Sequence, residues 1–466
     1  MEENKGNVVV RFAPSPTGPL HIGGAHTALF NYLWSKHNKG SFKLRFEDTD
    51  LARSSEKYEK SILDDLRWLG LEPDEAPSRQ SSRAARHMEI LRALVESGAA
   101  YPCFCADDAS FEHGDHKCGD MDRSERDSRV SQGETYCCRF KVAGGPNYIY
   151  HDRLRGNISV PTAAIEDFVL ARSDGSATYL LAAAVDDHDF GVTHVIRGEE
   201  HMSNVPKQEM IYKSLGWNVP EWVHIPMILD AERRKLSKRL GAMSLGEYRE
   251  LGWAPEAIVA YLATLSWAKA PVDRIASLEE LAMLFDLDSV AHFSPVHDEA
   301  RMRHFGRVFV AAASDENLTR FCEEAFSSCA SPKTSDDEKL ALIHELLPEC
   351  ATFGELGSAI MKNLSFAGDL HTETPEWFGD FVAHLALISD ADWSSSNIKN
   401  ALKTFQNNLR LKGSDFYHPI RIFLTGMSQG APLGLILSCV GRDASIKRLG
   451  VPVTKRTTDM GGENFG

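Results

Sequence analysis

The sequence predicts a doubly wound α/β domain, interrupted by an α+β insertion and followed by an all-α C-terminal region. Three patterns lead there. Residues 8–46 run strand, helix, strand, the order of a right-handed crossover in a parallel sheet. From about residue 100 to 178 short strands, turns and a Cys/His-rich patch replace that alternation, and parallel-sheet character returns at Val192–Arg197. From Pro255 onward, helix follows helix with polar connections.

Each element has a local reason. Val8-Val9-Val10-Arg11-Phe12 reads as a short buried strand, and the Pro/Gly/Ser-rich stretch Ala13–Pro19 as a turn. Leu29, Phe30, Leu33 and Trp34 recur at three- and four-residue spacing, which predicts a helix over Ile22–His37 with Gly40 past its end. Phe42–Phe46 alternates with period two and runs into Glu47-Asp48-Thr49-Asp50. Ser54 or Ser55 caps a helix through Ile62, Leu66 and Leu69, which Gly70 stops. Beyond the insertion come a strand at Val192–Arg197, a helix over Val205–Leu215 and a strand over His224–Leu229. The C-terminal helices include Asp336–Leu347, Pro375–Leu387 and Ser396–Leu411, and the small polar residues Thr457–Gly466 read as a frayed end.

A chain of 466 residues suggests about three domains, long enough to bury several cores without disulfides. No apolar run approaches the roughly 20 residues of a membrane helix. The polar, acidic N-terminus lacks the pattern of a secretory or transit signal, so the nine cysteines are expected to be reduced thiols and the protein cytoplasmic. A net charge of −15 opposes long-range attraction to nucleic acid, yet cations cluster locally. Arg83, Arg86 and Arg92 form one group; Arg233–Arg239 a second; Lys399, Lys403, Arg410 and Lys412 a third; Lys447, Arg448, Lys455 and Arg456 a fourth. These clusters read equally as solvated helix faces.

The sharpest motif is Pro19-Leu20-His21-Ile22-Gly23-Gly24, at a strand-to-helix turn. Open parallel sheets bind ligands where strands end and helix N-termini offer unpaired N–H groups. Two glycines there would admit a base or phosphate to the backbone, and His21 would donate to a phosphoryl oxygen; the plainer reading is an ordinary helix start. Far downstream, Lys235-Leu236-Ser237-Lys238-Arg239 reads either as a solvated charge run or as a clamp neutralising a departing pyrophosphate. The Gly-rich phosphate loop ending in Gly-Lys-Ser/Thr is absent, so ATP chemistry would rest on these two sites.

His21–Gly24 and Lys235–Arg239 resemble the two signatures of class I aminoacyl-tRNA synthetases. Arg11–Gly18, Arg45–Asp50, Val185–His188 and Val195–His201 are similar to the bacterial-type glutamyl-tRNA synthetases, in that family's order and over nearly the whole chain. The resemblance implies a Rossmann-type catalytic domain at 1–99 and 179–240, an acceptor-arm-binding insertion at 100–178, a helical connecting domain at 241–306 and a helical anticodon-binding domain at 307–466. It implies ligation of L-glutamate to tRNA-Glu through glutamyl-adenylate, with AMP and pyrophosphate released. His21, Lys235, Lys238 and Arg239 are the implied catalytic residues, and Gly18, Gly23, Gly24 and Ser237 join His21, Lys235 and Lys238 around ATP with its Mg2+. For glutamate the implied set is Arg11, Ala13, Ser15, Glu47, Tyr179 and Arg197. Guanidinium forks suit its two carboxylates, Glu47 and Ser15 suit its ammonium, and Tyr179 can donate a hydrogen bond. Arg45 and Asp48 are expected in surface ion pairs. Ala183 is expected to make no substrate contact, and His26 stands where the family often has arginine.

Cys103, Cys105 and Cys118, with His116 or His113 as a fourth ligand, could close a structural zinc site of the kind some family members carry. Asp120 departs from their pattern, and small buried hydrophobes are the competing reading. Cys137 and Cys138 read as strand residues. Among rival functions, a tRNA-base-modifying paralogue would lack the helical C-terminal third, and glutamine-specific relatives usually have a second histidine at the Gly24 position and terminal β-barrels. A small-molecule nucleotidylyltransferase would have no use for that helical third. A non-catalytic or regulatory tRNA-binding paralogue, and an enzyme that also glutamylates tRNA-Gln, remain alternatives. The resemblance further implies a monomer, and a site that activates glutamate well only when tRNA is bound.

Overall fold

The first strand, β1 (Val9–Phe12), is buried along nearly its whole length, as a central strand covered on both faces must be. Residues 8–50, 53–105, 117–236, 243–365 and 374–450 are described by a computed structural model. β1 pairs in parallel with β2 (Ser41–Phe46), Val9 opposite Ser41 and Phe12 opposite Leu44. Between them α1 (Ile22–His37) covers the sheet, and Asn31 Nδ2 ties it to the next strand system by donating to Ile196 O at 3.0 Å. Gly40 is demanded by the crossover: a Cβ there would lie 2.0 Å from Val8 O. α2 (Glu56–Trp68) is capped by Ser55, and Gly70 at φ +75° follows its end. The short β3 (Ser78–Arg79) adds in parallel to β2, and α3 (Ala84–Glu96) leads into the insertion.

The insertion holds an antiparallel sheet ordered β4 (Ala100–Cys103), β5 (Cys137–Phe140), β8 (Phe168–Ala171), with α4 (Arg123–Ser131) between β4 and β5. Its hairpin of β6 (Asn147–Asp152) and β7 (Gly156–Pro161) instead extends the second half of the main sheet. After α5 (Tyr179–Asp189), β9 (His194–Gly198), α6 (Val205–Ser214) and β10 (Glu221–Ile225) complete that half, in the order β7-β6-β10-β9. The two halves meet at β1 and β9, where Thr193 N donates to Val9 O at 2.9 Å and Val9 N to Thr193 Oγ1 at 2.9 Å. That seam is the switch point of a doubly wound sheet.

β10 lies upstream of the strand expected at His224–Leu229. Its pairing with β9 starts at Glu221 opposite His194 and ends at Ile225, before Pro226, which has no N–H to donate. α7 (Leu245–Glu250), α8 (Pro255–Ser266) and α9 (Leu278–Leu284) follow; α8 and α9 pack on α1, which accounts for its burial on nearly all sides. The described residues through Glu250, with Pro255–Met302, form one compact unit, and Leu251–Ala254 with the residues from Arg303 onward a second.

The boundary falls within α10 (Glu299–Ala311). The second unit continues as α11 (Asp315–Cys329), α12 (Asp336–Leu346), α13 (Phe353–Leu364), α14 (Phe378–Ala386), α15 (Ser395–Leu409), α16 (Gly413–Thr425), α17 (Leu433–Val440) and α18 (Arg442–Gly450). Among its described residues no strand occurs. One core runs through it, with Leu342, Leu356, Phe381, Ile398, Phe416 and Ile436 fully buried. Four of its helices begin on polar caps: Ser314, Thr352 and Ser394 accept from backbone N–H groups, and Ser335 with Glu338 forms a capping box.

Candidate active site

A cleft of about 200 Å³ opens where β1 and β9 end, roofed by the N-termini of α1 and α5. Arg11, Ala13, His21, Gly23, Gly24, Glu47, Tyr179, Arg197 and Lys235 all line it, although they come from six separate stretches of sequence. Gly18 and Ser15 do not; they sit beside it on the turn after β1, where Ser15 is exposed and its carbonyl accepts from Thr17 N at 2.8 Å. Ala183 is buried inside α5 and absent from the lining. Ser237, Lys238, Arg239 and His116, as well as His113, lie outside the described residues.

One wall of the cleft is a chain of buried ions. Asp187 on α5 accepts from Arg11 Nε at 3.0 Å and from Arg45 Nη1, and Arg45 Nη2 donates to Glu47 Oε1 at 3.1 Å. Burial alone would push the Asp187 carboxyl up, but Arg11 and Arg45 hold it below its ordinary value. Glu47 goes the other way: burial outweighs Arg45 and Arg11 and raises it. Arg45 is therefore no surface residue, being 1% exposed, and Asp48 is also buried, accepting from Ser81 N at 2.8 Å. The expectation of surface ion pairs for both is corrected. The reason is the doubly wound sheet itself, in which the outward face of β2 is covered by a further element.

A second part of the lining is built on Arg197 of β9. Its Nε donates to His224 Nε2 at 3.1 Å, Nη1 to the Tyr179 hydroxyl at 3.2 Å and Nη2 to His201 O at 3.3 Å. Among the described residues lining the cleft, Arg11, Arg197 and Lys235 stand against Glu47 and Glu200, which leaves one net positive charge, and behind them Arg45 and Asp187 offset each other. An amino acid with two carboxylates and one ammonium carries one net negative charge, so the two match.

At the far end, His21 caps α1, its Nδ1 accepting from Gly24 N at 3.3 Å. That leaves the proton of the neutral ring on Nε2, a donor. Gly24 has an internal reason as well, since a Cβ there would meet Leu20 Cδ1 at 2.6 Å. Lys235 donates to Glu200 Oε1 at 2.9 Å and holds that carboxyl low against burial. Gly198 makes room for this pair, because a Cβ would lie 2.1 Å from Glu200 Oε2. Of the neighbouring cations, Arg234 is held by Asp230 and Glu232.

Sequence reasoning gave no role to Asp187, Glu200, His201 or His224. The first three stand in quoted motifs, so their position was visible and only their partners were not. His26 is buried, within 2.9 Å of Ser266 Oγ, and burial lowers its pKa to about 3, so the ring is neutral where an arginine would be charged.

In the insertion, the sulfurs of Cys103, Cys105 and Cys118 lie within 4.8 Å of one another, with Cys105 and Cys118 3.6 Å apart. Cys137 stands opposite Cys103 in the β4–β5 ladder, and its hydrogen bond holds the Cys103 thiol well below the ordinary range. Cys137 and Cys138 are strand residues as expected.

Two family models match the chain: the class I tRNA synthetase catalytic domain for glutamate and glutamine over residues 7–304, and an anticodon binding domain over residues 337–451. Glutamate–tRNA ligases of Carboxydothermus hydrogenoformans and Aquifex aeolicus are each 36% identical to it, over 95% of this chain, and over 99% and 98% of theirs. A glutamate tRNA ligase of Elizabethkingia meningosepticum, solved with its amino acid, superposes with a TM-score of 0.83 at 28% identity, covering 96% of this chain and 99% of that one. The paired-arginine pocket at the switch point, both synthetase signatures in the sequence and full-length likeness agree: the chain belongs to the glutamate–tRNA ligases, within the class I aminoacyl-tRNA synthetases.

Proposed function

We propose that this cleft joins L-glutamate to tRNA-Glu in two ATP-dependent steps, through glutamyl-adenylate, with release of AMP and pyrophosphate. The observation that carries the reading is the charge pattern of the pocket: one net positive charge, with the guanidinium groups of Arg11 and Arg197 and the carboxylate of Glu47 lining the same cleft. Arg11 and Arg197 would hold the two substrate carboxylates, and Tyr179 would add a hydroxyl. Ala13 supplies backbone, and Ser15 lies near enough in sequence to reach in on the turn after β1. The amino acid's α-carboxylate then attacks the α-phosphorus of ATP, and the terminal ribose hydroxyl of tRNA takes the glutamyl group. Neither step needs a protein nucleophile; positioning and charge stabilisation are enough.

His21 Nε2–H is a donor for a phosphoryl oxygen at the N-terminus of α1, with Gly18, Gly23 and Gly24 around the nucleotide. Lys235, Lys238 and Arg239 would neutralise the leaving pyrophosphate, with Ser237 beside the ATP, which requires Lys235 to exchange Glu200 for phosphate. Magnesium on the ATP would add charge screening of its own. The thiols of Cys103, Cys105 and Cys118 have the chemistry and spacing to hold a structural zinc, with a fourth ligand such as His116. Metal analysis tests that: less than about a tenth of an equivalent of zinc in purified protein ends it.

Charging with labelled glutamate, on separately purified tRNA-Glu and tRNA-Gln, tests the main proposal. Charging of tRNA-Glu is the expected result, and charging of it alone marks a discriminating enzyme. Charging of both means the enzyme is non-discriminating and a separate amidation must follow in the cell. Charging of neither by folded protein overturns the reading and favours a non-catalytic tRNA-binding paralogue.

A further inference from the structure

Asp152 and His224 are both fully buried, carry titratable groups, and take no part in the chemistry described above. They come from different parts of the chain. Asp152 ends β6 of the insertion, where it pairs with Trp222 of β10, and His224 stands directly opposite Arg197 in the β9–β10 ladder. Asp152 Oδ2 accepts from His224 Nδ1 at 2.7 Å and from the His224 backbone N–H at 3.1 Å, while Oδ1 accepts from Leu154 N at 3.1 Å and Arg155 N at 3.0 Å. Three backbone N–H groups thus fix the carboxylate before it meets the ring.

With its proton on Nδ1, the imidazole presents a bare Nε2 to Arg197 Nε, 3.1 Å away. The other tautomer, or the imidazolium, would set an N–H against an N–H. Arg197 has five N–H groups, of which His224, Tyr179 and His201 O take three, leaving one on each Nη. Those two are the fork that a carboxylate can accept.

We propose that His224, oriented by Asp152, is a positioning residue for amino-acid selection: it holds Arg197 by Nε so that only the Nη pair faces the substrate carboxylate. This rests on the reading that Arg197 binds glutamate. Through Asp152 the inserted hairpin helps to aim the arginine, so the insertion contributes to the amino-acid pocket.

The test compares two amides at position 224 during charging of tRNA-Glu at saturating ATP. Gln reaches the place of Nε2 and can still accept from Arg197; Asn reaches only the place of Nδ1 and can pair only with Asp152. His224→Asn is expected to raise KM for glutamate about tenfold, the worth of a hydrogen bond to a charged group, with kcat and KM for ATP within about threefold of the parent. His224→Gln is expected to restore KM to within about threefold. A residue that merely anchors the core through Asp152 would give the reverse order, and that order overturns the proposal, as does an unchanged KM in His224→Asn. Arg197→Ala serves as the reference. If it raises KM for glutamate and His224→Asn does not, the reading of Arg197 stands and the proposal alone falls; if it leaves KM unchanged, both fall. A measurement on the unaltered chain needs no variant to fold: 15N-labelled histidine must show His224 as the Nδ1–H tautomer at neutral pH, and an Nε2–H or imidazolium signal overturns the proposal.

Discussion

Asp187 is the pivot of the cleft, because two guanidinium groups share one of its oxygens in a place with almost no access to water. Asp187→Asn leaves Arg11 and Arg45 facing each other with that charge gone. Removing one partner of a buried ion pair typically destabilises by about 3–5 kcal/mol. The urea midpoint should fall accordingly, and KM for glutamate should rise with Arg11 misplaced; a loss under about 1 kcal/mol would mean that the pair is dispensable. His26 gives a pH dependence. Its folded pKa of about 3 lies below the ordinary 6.5, so between those values the unfolded ring is protonated while the folded one is not. Stability therefore falls as pH drops below 6.5, by about 1.4 kcal/mol per unit, and the contribution is complete above it. Relative to His26→Gln, which can still pair with Ser266, the parent should lose about 2 kcal/mol in urea unfolding between about pH 7 and pH 5. Equal slopes would contradict the neutral buried ring. At this scale the sequence was informative wherever a residue's own chemistry marks it as a candidate, as with Arg11, Glu47 and Arg197, which the structure brings to one cleft. It was silent where a role depends on a partner far along the chain. Arg45 alternates with Phe42, Leu44 and Phe46 as a solvent-facing residue would, and only the presence of Asp187 on α5, 142 residues on, makes it a buried one.

Elements were legible to the extent that they are stabilised locally. α1 and α2 begin at their capping side chains and end at turn residues, all of which the sequence displays. β10 starts and stops earlier than the stretch His224–Leu229 suggests: Pro226, visible inside the run from Trp222 to Leu229, ends the pairing, and only the register with β9, Glu221 opposite His194, sets its start. The start expected at Pro375 similarly shifts to Phe378, with Pro375 serving in a turn whose carbonyl accepts from Phe378 N at 3.0 Å. Two substitutions separate steric from capping contributions. Gly40→Ala puts a methyl group into the Val8 carbonyl at the β1–β2 crossover, and should cost about 2–4 kcal/mol with a clear drop in Tm. Ser335→Ala removes half of a capping box on an exposed helix end, and should cost only about 1 kcal/mol. If thermal unfolding ranked them the other way, the close approach of Gly40 to Val8 would not be what makes that glycine necessary.

Over the whole molecule, the charge balance poses the problem that the family membership makes acute. A chain with net charge −15 must bind a polyanion, so attraction has to come from local patches working against the global field. On α15 and just beyond it, Lys399, Lys403, Arg410 and Lys412 are all exposed. Lys399 and Lys403 stand four apart on one face, an arrangement that weakens an isolated helix and that a phosphate backbone would relieve. The cleft proposed for glutamate is different in kind: Arg11, Arg45, Asp187 and Glu47 are buried and paired, and Arg197 is buried, out of reach of screening ions. The two substrates should therefore respond differently to salt. Raising monovalent salt from about 50 to 200 mM should increase KM for tRNA by at least about tenfold, while KM for glutamate stays within about twofold. Lys399→Ala with Lys403→Ala should flatten the tRNA response and leave the glutamate response as it was. A tRNA KM indifferent to salt would mean that shape and base contacts, not neutralised phosphates, hold the acceptor, and the basic face of α15 would then be only a solvated surface.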